Sequence, residues 1–540
     1  MNDRPVKRAP GDSEVGVFSE DEPWTIEPEK LVWKSGLDAL REATRAEVPR
    51  MLTRRRIPPV GRIVTVGARL GSAIGAWWLT DRRKGQRASR AGLSRRLRVE
   101  FEELGPTFIK LGQIISSGEG VFPEELVSEF RLCRDQVPPE PFRKVRRVIE
   151  EDFGRPLAAI FGAFDPVPVA AASIAQVHAA TLRTGEQVVV KVQRTSVASL
   201  VRRDLAAMSF IAPVLVGRIP VTALANPPAL VELFAETISE ELDFRLEAEN
   251  MLDVAAVLTK SGQHAIVVPR PHPELVTRRV LVMERLDGYA WGDAAKMREA
   301  GIDTAEVLHS SLIAFLEGVM LYGVFHGDLH GGNMFVRPDG RVALLDYGIT
   351  GRLDEPRRLA FLRLVVGATG NDVPGQIEAL RDLGAFPRDV DVPTLIVDLG
   401  LDRPPLDPMQ MTVEQLTAEM RELTKRLLGY GARMPKELML FVKDLLFLDG
   451  AMATMAPDVD LLAEIMKVVM YFHVRHGEQI ARDIGVPLDD QPAVDLDAIR
   501  ASFGFAETPG PITHRELTRR RQVIRDRFEQ SRAERDGRKS

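Results

Sequence analysis

The chain has 540 residues, 45% of them hydrophobic, enough to bury more than one core, and a prior of about 150 residues per domain suggests about three structural units. A net charge of -5 argues against a dedicated nucleic-acid binder, which would carry a strongly basic domain. The single cysteine, Cys133, excludes an intrachain disulfide and zinc sites built on cysteine pairs, and it suits a reducing cytoplasmic setting.

Residues 1–35 read as an acidic, Pro-bearing disordered segment without the apolar core of a secretion signal. From 36 to 160 apolar residues recur at spacings of three and four, predicting a helical extension. Within it, "GRIVTVGARLGSAIGAWWLTDRR" (61–83) falls short of the roughly 20 uninterrupted apolar residues a membrane span needs, because Arg69 breaks it. As a helix it puts Ile63, Val66, Leu70, Ile74 and Trp77 on one stripe, with Gly67, Gly71 and Gly75 as a second row allowing close backbone approach. Two readings stand: a helix packed on its own protein, or an interfacial helix drawn to anionic lipid by Arg54, Arg55, Arg56, Arg82, Arg83 and Lys84.

Strand-like runs follow. "QVHAATL" (176–182) and "EQVVVKVQ" (186–193), joined by "RTG", predict a hairpin. A helical stretch around 200–260 leads to a second β-rich run, "RRVLVMERLDG" (278–288), then to helices from about 303 to 323. "HGDLHGGNMFV" (326–336) precedes a short strand pair turned at "PDG", ending in "DYG" (346–348). Helices dominate to about 476, and the tail "ITHRELTRRRQVIRDRFEQSRAERDGRKS" reads as a solvated helix, a disordered end or an anionic-surface anchor. This order predicts an α+β, two-lobed kinase-like fold: extension 36–160, N-lobe 161–290, mostly helical C-lobe 291–480 and polar/basic tail 481–540.

Transfer of a γ-phosphoryl group needs metal ions on the phosphates, a lysine at the α/β-phosphates and a carboxylate aimed at the attacking hydroxyl. Lys191, inside a Val run, needs a charged partner if buried, and Glu247 in "ELDFRLEAEN" is the candidate. Asp328 is the candidate base, with Asn333 and Asp346 as metal ligands, and oxygen donors suit Mg. Singly these residues have bland readings: a lysine in a Val run is more often an edge-strand residue with its amine in water, and Asp-x-Gly is common in turns. Their joint order is what points to a nucleotide site. His326 reads as a structural loop residue. No glycine-rich phosphate loop precedes the hairpin. "PVAAASIAQVH" (168–178) stands there, and alanine predicts a stiffer loop.

"FIKLGQ", "AAASIAQVH", "VVVKVQR", "ELDFRLEAEN", "HGDLHGGN" and "DYG" together resemble the UbiB/AarF-type atypical kinase family over about residues 100–350. The resemblance implies ATP and Mg as cofactors and a role in isoprenoid quinone or other prenyl-lipid metabolism. It also implies that the N-terminal helical extension covers the active cleft, Lys110 and Gln113 meeting Glu241 and Asp243 while Glu247 pairs with Lys191. Nucleotide contacts are then expected at Ala170, Ala171, Ala172, Ser173, Lys191 and Glu284. The chain departs from the family's usual pattern at "SSGEGVFP" (116–123), and its tail has no apolar run where many bacterial relatives have a membrane hairpin.

The function expected is that of an Mg-dependent ATPase or small-molecule or lipid kinase. Alternatives are an aminoglycoside- or choline-type phosphotransferase, which shares "HGD" with Asn five residues on, and a non-catalytic nucleotide-binding scaffold. Candidate partners are ATP, prenyl-lipid or quinone precursors, lipid-modifying enzymes, an anionic membrane surface and a second copy of the chain, with no nucleic acid. The expected location is the cytoplasm, with peripheral contact to the inner face of the cell membrane open and no transmembrane span.

Overall fold

In the computed structural model the described residues are 31–52, 59–84, 86–116, 123–133, 137–215, 227–402, 434–485, 494–502 and 511–517, with scattered positions within 415–432 and 519–526. The chain forms two compact units, one of residues 1–288 with 343–350 and one of 289–342 with 351–540.

The first unit begins with helices. They are α1 (Leu37–Leu52), α2 (Val60–Thr80), α3 (Gln86–Leu104), α4 (Pro106–Ser116), α5 (Glu124–Phe130), α6 (Phe142–Phe153) and the single turn α7 (Leu157–Ile160). Ahead of them a 3-10 turn, Val32–Lys34, buries Trp33, whose indole N–H donates to the His272 carbonyl at 3.3 Å. Order therefore starts inside the stretch expected to be disordered, because an indole this apolar gains by leaving water. In α2, Val66 of the expected stripe is buried, but no heavy atom lies within 4 Å of where a Cβ would sit on Gly67, Gly71 or Gly75. The glycine row thus faces open space among the described residues and does not bring two backbones together. Arg54, Arg55 and Arg56, and most of the 116–123 departure, lie outside the described residues.

The sheet follows: β1 (Phe161–Phe164), β2 (Ala170–Ala171), β3 (Ala175–Leu182), β4 (Gln187–Gln193), then α8 (Val197–Leu215), α9 (Pro227–Glu241), α10 (Phe244–Ser261), β5 (Ile266–Val267), β6 (Pro271–Val276) and β7 (Val280–Glu284). The strands run in the order β1-β3-β4-β7-β6, with β2 pairing β3. The predicted hairpin closes at Gly185, whose φ of +106° admits no ordinary side chain without strain, and Leu182 N–H reaches the Glu186 carbonyl at 2.9 Å. Val188, Val190 and Val192 point to one face, where they meet Val145, Val148 and Ile149 of α6. That spacing of three and four on a helix and of two on a strand is what lets α6 lie on the sheet. Strand β6 falls outside the strands that the sequence predicts, because its Pro and His interrupt the alternation that marks one.

The second unit holds β8 (Tyr289–Ala290), α11 (Ala294–Glu299), α12 (Thr304–Glu317) with a π-turn at Gly318–Tyr322, β9 (Val324–His326) and β10 (Met334–Val336), β10 pairing antiparallel with β8. Beyond the returning segment 343–350 of the first unit, which carries most of β11 (Val342–Leu344) and the first residue of β12 (Thr350–Arg352), come α13 (Glu355–Thr369), α14 (Val373–Asp382), α15 (Val392–Leu399), α16 (Lys436–Met455), α17 (Leu461–Ile484) and α18 (Leu496–Ser502). The stretch Thr304–Tyr322 is long and apolar enough to cross a membrane by length and composition, and 67% of that window is buried inside the protein. Beyond residue 481, Ile512 is fully buried and clusters with Leu461 and Leu462, so a part of the stretch expected as polar tail carries core.

Candidate functional site

In the first unit, antiparallel β4 puts Lys191 opposite Leu281 of β7, with its side chain only 10% exposed. Its Nζ donates to Glu247 Oε1 at 2.7 Å and lies 3.2 Å from Asp346 Oδ2. Glu247 is on the first turn of α10 and Asp346 is on the returning segment 343–350. Burial opposes charge on Lys191, but the flanking Asp346 and Glu247 carboxylates outweigh it and hold the ammonium above its ordinary pKa. Burial, helped by the negative charge of Asp346, pushes Glu247 up to about 7 against the pull of Lys191. Two carboxylates thus share one ammonium, and burial raises Glu247 above the usual glutamate range.

The "DYG" backbone is fixed from two sides. Asn250 of α10 donates its amide to the Tyr347 carbonyl at 2.8 Å, and Gly348 N–H donates to Asp346 Oδ1 at 2.9 Å. A Cβ on Gly348 would come within 3.1 Å of that oxygen and 3.5 Å of the Glu241 side chain. Glu241 in turn is 2.9 Å from Lys110 Nζ of α4. Gly112, the small residue of "FIKLGQ", allows Phe130 of α5 to pack where a Cβ would stand 2.8 Å from the ring.

Lys110 and Glu241 therefore meet as the resemblance implied, whereas Asp243 is differently engaged. It is the N-cap of α10, with extended backbone, and both its oxygens are taken by the forked guanidinium of Arg245 at 2.9 and 2.7 Å. Asp243 stands before the helix proper, four positions ahead of Glu247. Gln113 lies in the last turn of α4, its carbonyl accepting from Ser116 Oγ.

Ala170 and Ala171 form β2, in register with Val177 and Gln176, and Ala172 N–H closes onto the Ala175 carbonyl at 2.8 Å. Ser173 is buried. Arg194 was missed by sequence reading: its guanidinium donates to the carbonyls of Ala172, Pro138 and Val137 at 3.0, 2.9 and 3.1 Å, clamping this loop from outside it. Glu284 ends β7 and accepts from Arg270 N–H at 2.7 Å, a strand-end contact.

In the second unit, His326 is buried and its Nδ1 accepts from Asp328 N–H at 3.2 Å. Asn333 closes the loop: its amide donates to the Asp328 carbonyl at 2.5 Å and its oxygen accepts from His330 N–H at 3.1 Å. Asp328 Oδ1 is in direct contact with Lys443 Nζ of α16, which also reaches the Gly327 carbonyl at 3.2 Å. The next residue, Asp444, is fully buried and accepts from Leu329 N–H at 2.9 Å. Burial pushes Asp444 up to about 8, against the pull of Lys443. Neither Lys443 nor Asp444 is legible in the sequence, because 115 positions separate each from its partner in the motif and "VKDLLF" reads as an ordinary helix.

Asp346, its side chain 48% exposed, offers a hard oxygen donor of the kind Mg takes, whereas Asn333 is buried with its amide oxygen on His330 N–H.

An ABC1 atypical kinase-like domain model matches residues 132–380. An uncharacterised protein of Mycobacterium tuberculosis is 38% identical over 371 residues, covering 67% of this chain and 75% of its own length. An uncharacterised aarF domain-containing protein kinase of Arabidopsis thaliana chloroplasts is 30% identical over 426 residues, covering 72% and 79%. The chain belongs to the UbiB/AarF family. A further member, the Marinobacter nauticus protein named "Probable protein kinase UbiB", is 30% identical over 372 residues, covering 68% of this chain and 67% of that one. Membership of this family makes the protein atypical kinase-like, with a kinase-like α+β fold preceded by helices.

Proposed function

We propose that this family member is an Mg-dependent, ATP-using enzyme, an ATPase or a kinase of a small molecule or lipid, serving isoprenoid quinone or related prenyl-lipid metabolism. The observation that carries the reading is the buried Lys191–Glu247 pair with the half-exposed Asp346 carboxylate on the same ammonium, the arrangement that a lysine meeting nucleotide phosphates beside a metal-binding carboxylate requires. Lys191 would meet the phosphates, with the β2 loop (Ala170, Ala171, Ala172, Ser173) and Glu284 beside the nucleotide. Asp346, in the first unit, would hold Mg, which would supply charge neutralisation on the phosphates, and Asn333 has the same ligand role by the resemblance alone. Asp328 would orient the attacking oxygen. Lys110, Gln113, Glu241 and Asp243 would position the "DYG" segment, Glu241 by standing 3.5 Å from where a Cβ on Gly348 would be.

A second reading, a nucleotide-binding scaffold, draws support from one contact: Lys443 neutralises Asp328, the carboxylate that an acceptor hydroxyl would need. The test follows the labelled γ-phosphate of Mg-ATP with and without anionic liposomes carrying prenylated phenols. Label released as phosphate or moved to an acceptor, and lost in Asp346→Asn, is the expected result. Tight nucleotide binding without turnover in either condition would favour the scaffold. The quinone connection, membrane contact and self-association are parts of the proposal that the same liposomes and a sedimentation run address.

A further inference from the structure

The second unit contains a cavity of about 1140 Å³ that no phosphoryl-transfer role uses. It lies among α12, α13, α16 and α17, and its walls include Leu312, Leu316, Val366, Leu448, Val468 and Phe472. Small-molecule sites usually span roughly 300–1,000 Å³ and are mostly apolar with a few placed polar groups, so this one matches in kind and exceeds in size. Leu445, Leu446 and Met470, also lining it, are 37%, 41% and 50% exposed and make an apolar mouth.

Its polar features are unevenly engaged. His309 Nδ1 is in direct contact with Glu464 Oε1, and Lys467 Nζ stands 3.5 Å from Glu464 Oε2. The Nε2 of His309 has no hydrogen-bond partner among the described residues. The other polar lining groups are Asp303, Glu306, Asp449 and His473. The bond to Glu464 holds the His309 imidazole above its ordinary pKa, which favours the ring form that donates from both nitrogens.

We propose that this cavity binds a single-chain lipid, its hydrocarbon chain among the leucines and valines and its hydroxyl or carbonyl head on His309 Nε2. That chemistry is shared by prenylated phenols and by straight-chain alcohols. The choice of head group rests on the prenyl-lipid part of the proposed function; the site itself does not depend on ATP.

The test is equilibrium dialysis of the full-length protein, without nucleotide, against radiolabelled geranylgeranylphenol and, separately, hexadecan-1-ol. Saturable binding of either at one per chain is expected, and the one that binds tighter names the source. Affinity should rise about fourfold per added methylene in a chain-length series until the cavity is filled. Leu312→Trp and, as an independent filling variant, Val468→Phe should abolish binding while a melting curve shows them folded. His309→Leu should weaken it at least tenfold, with His309→Gln partly restoring it. Asp346→Asn should bind as the parent does, so that a failure of the nucleotide reading leaves this result standing. No saturable binding to the parent protein, a flat chain-length series, or unchanged binding in a folded filling variant would overturn the proposal.

Discussion

Glu247 shows how one side chain couples folding to chemistry. In an unfolded chain it would titrate as an ordinary glutamate, near 4.5, but burial in the cluster pushes it up to about 7. A carboxyl raised on folding stabilises the protein fully below its unfolded pKa, and that contribution is lost as pH rises through the folded value. Stability should therefore fall between about pH 4.5 and 7 on this residue's account, and Glu247→Gln should flatten that part of a pH-melting profile. An unchanged slope would mean that folding does not raise this carboxyl. Lys191, raised above an already high value, adds nothing in this window. The same site shows what a linear reading misses. The pairing of Lys191 with Glu247 follows from a charge placed in a Val run, whereas Lys443 and Asp444 do not announce themselves: they touch the "HGD" loop only because α16 folds against it.

At the scale of elements, the loop between β2 and β3 illustrates how stiffness is built. Alanine in place of glycine narrows the backbone choices, and Arg194 then ties the Ala172 carbonyl to those of Val137 and Pro138. Burial holds this guanidinium below its ordinary pKa, though far from neutrality at any physiological pH. Arg194→Lys keeps the charge but loses the fork, so the amides of residues 170–175 should exchange at least tenfold faster, about 1.4 kcal/mol of lost protection, with the rest of the sheet unchanged. Equal exchange would place the stiffness in the alanines alone. The hairpin, α6 and the helix at 304–317 were legible because their periodicities are intact; β6 and the outward-facing glycine row of α2 were not, since a strand with proline and a glycine row say nothing about their neighbours.

For the whole molecule, ligand linkage gives the broadest check. A nucleotide that binds only the folded chain should stabilise it by about 2.7 kcal/mol at one hundred times its Kd, seen as a raised melting temperature with Mg-ATP. Lys191→Met should abolish the shift, and it should also destabilise the apo protein by about 3–5 kcal/mol, because it strands buried carboxylate charge. A shift that survives the substitution would remove Lys191 from the nucleotide site. Residues 343–350 belong to the first unit although their neighbours in sequence belong to the second, so the "DYG" segment folds with Lys191 and Glu247 despite its distance along the chain.

The sequence by itself determined the α+β kinase-like class, the family and the residue types of the candidate site, because periodicity, turn chemistry and ordered motifs are local properties. Only the tertiary structure decided that Asp346, 155 positions from Lys191, shares its ammonium with Glu247, that Arg245 and not Lys110 satisfies Asp243, and that Lys443 holds Asp328. Electrostatic partners separated by long stretches of chain are chosen by packing, and packing is not written in any one segment.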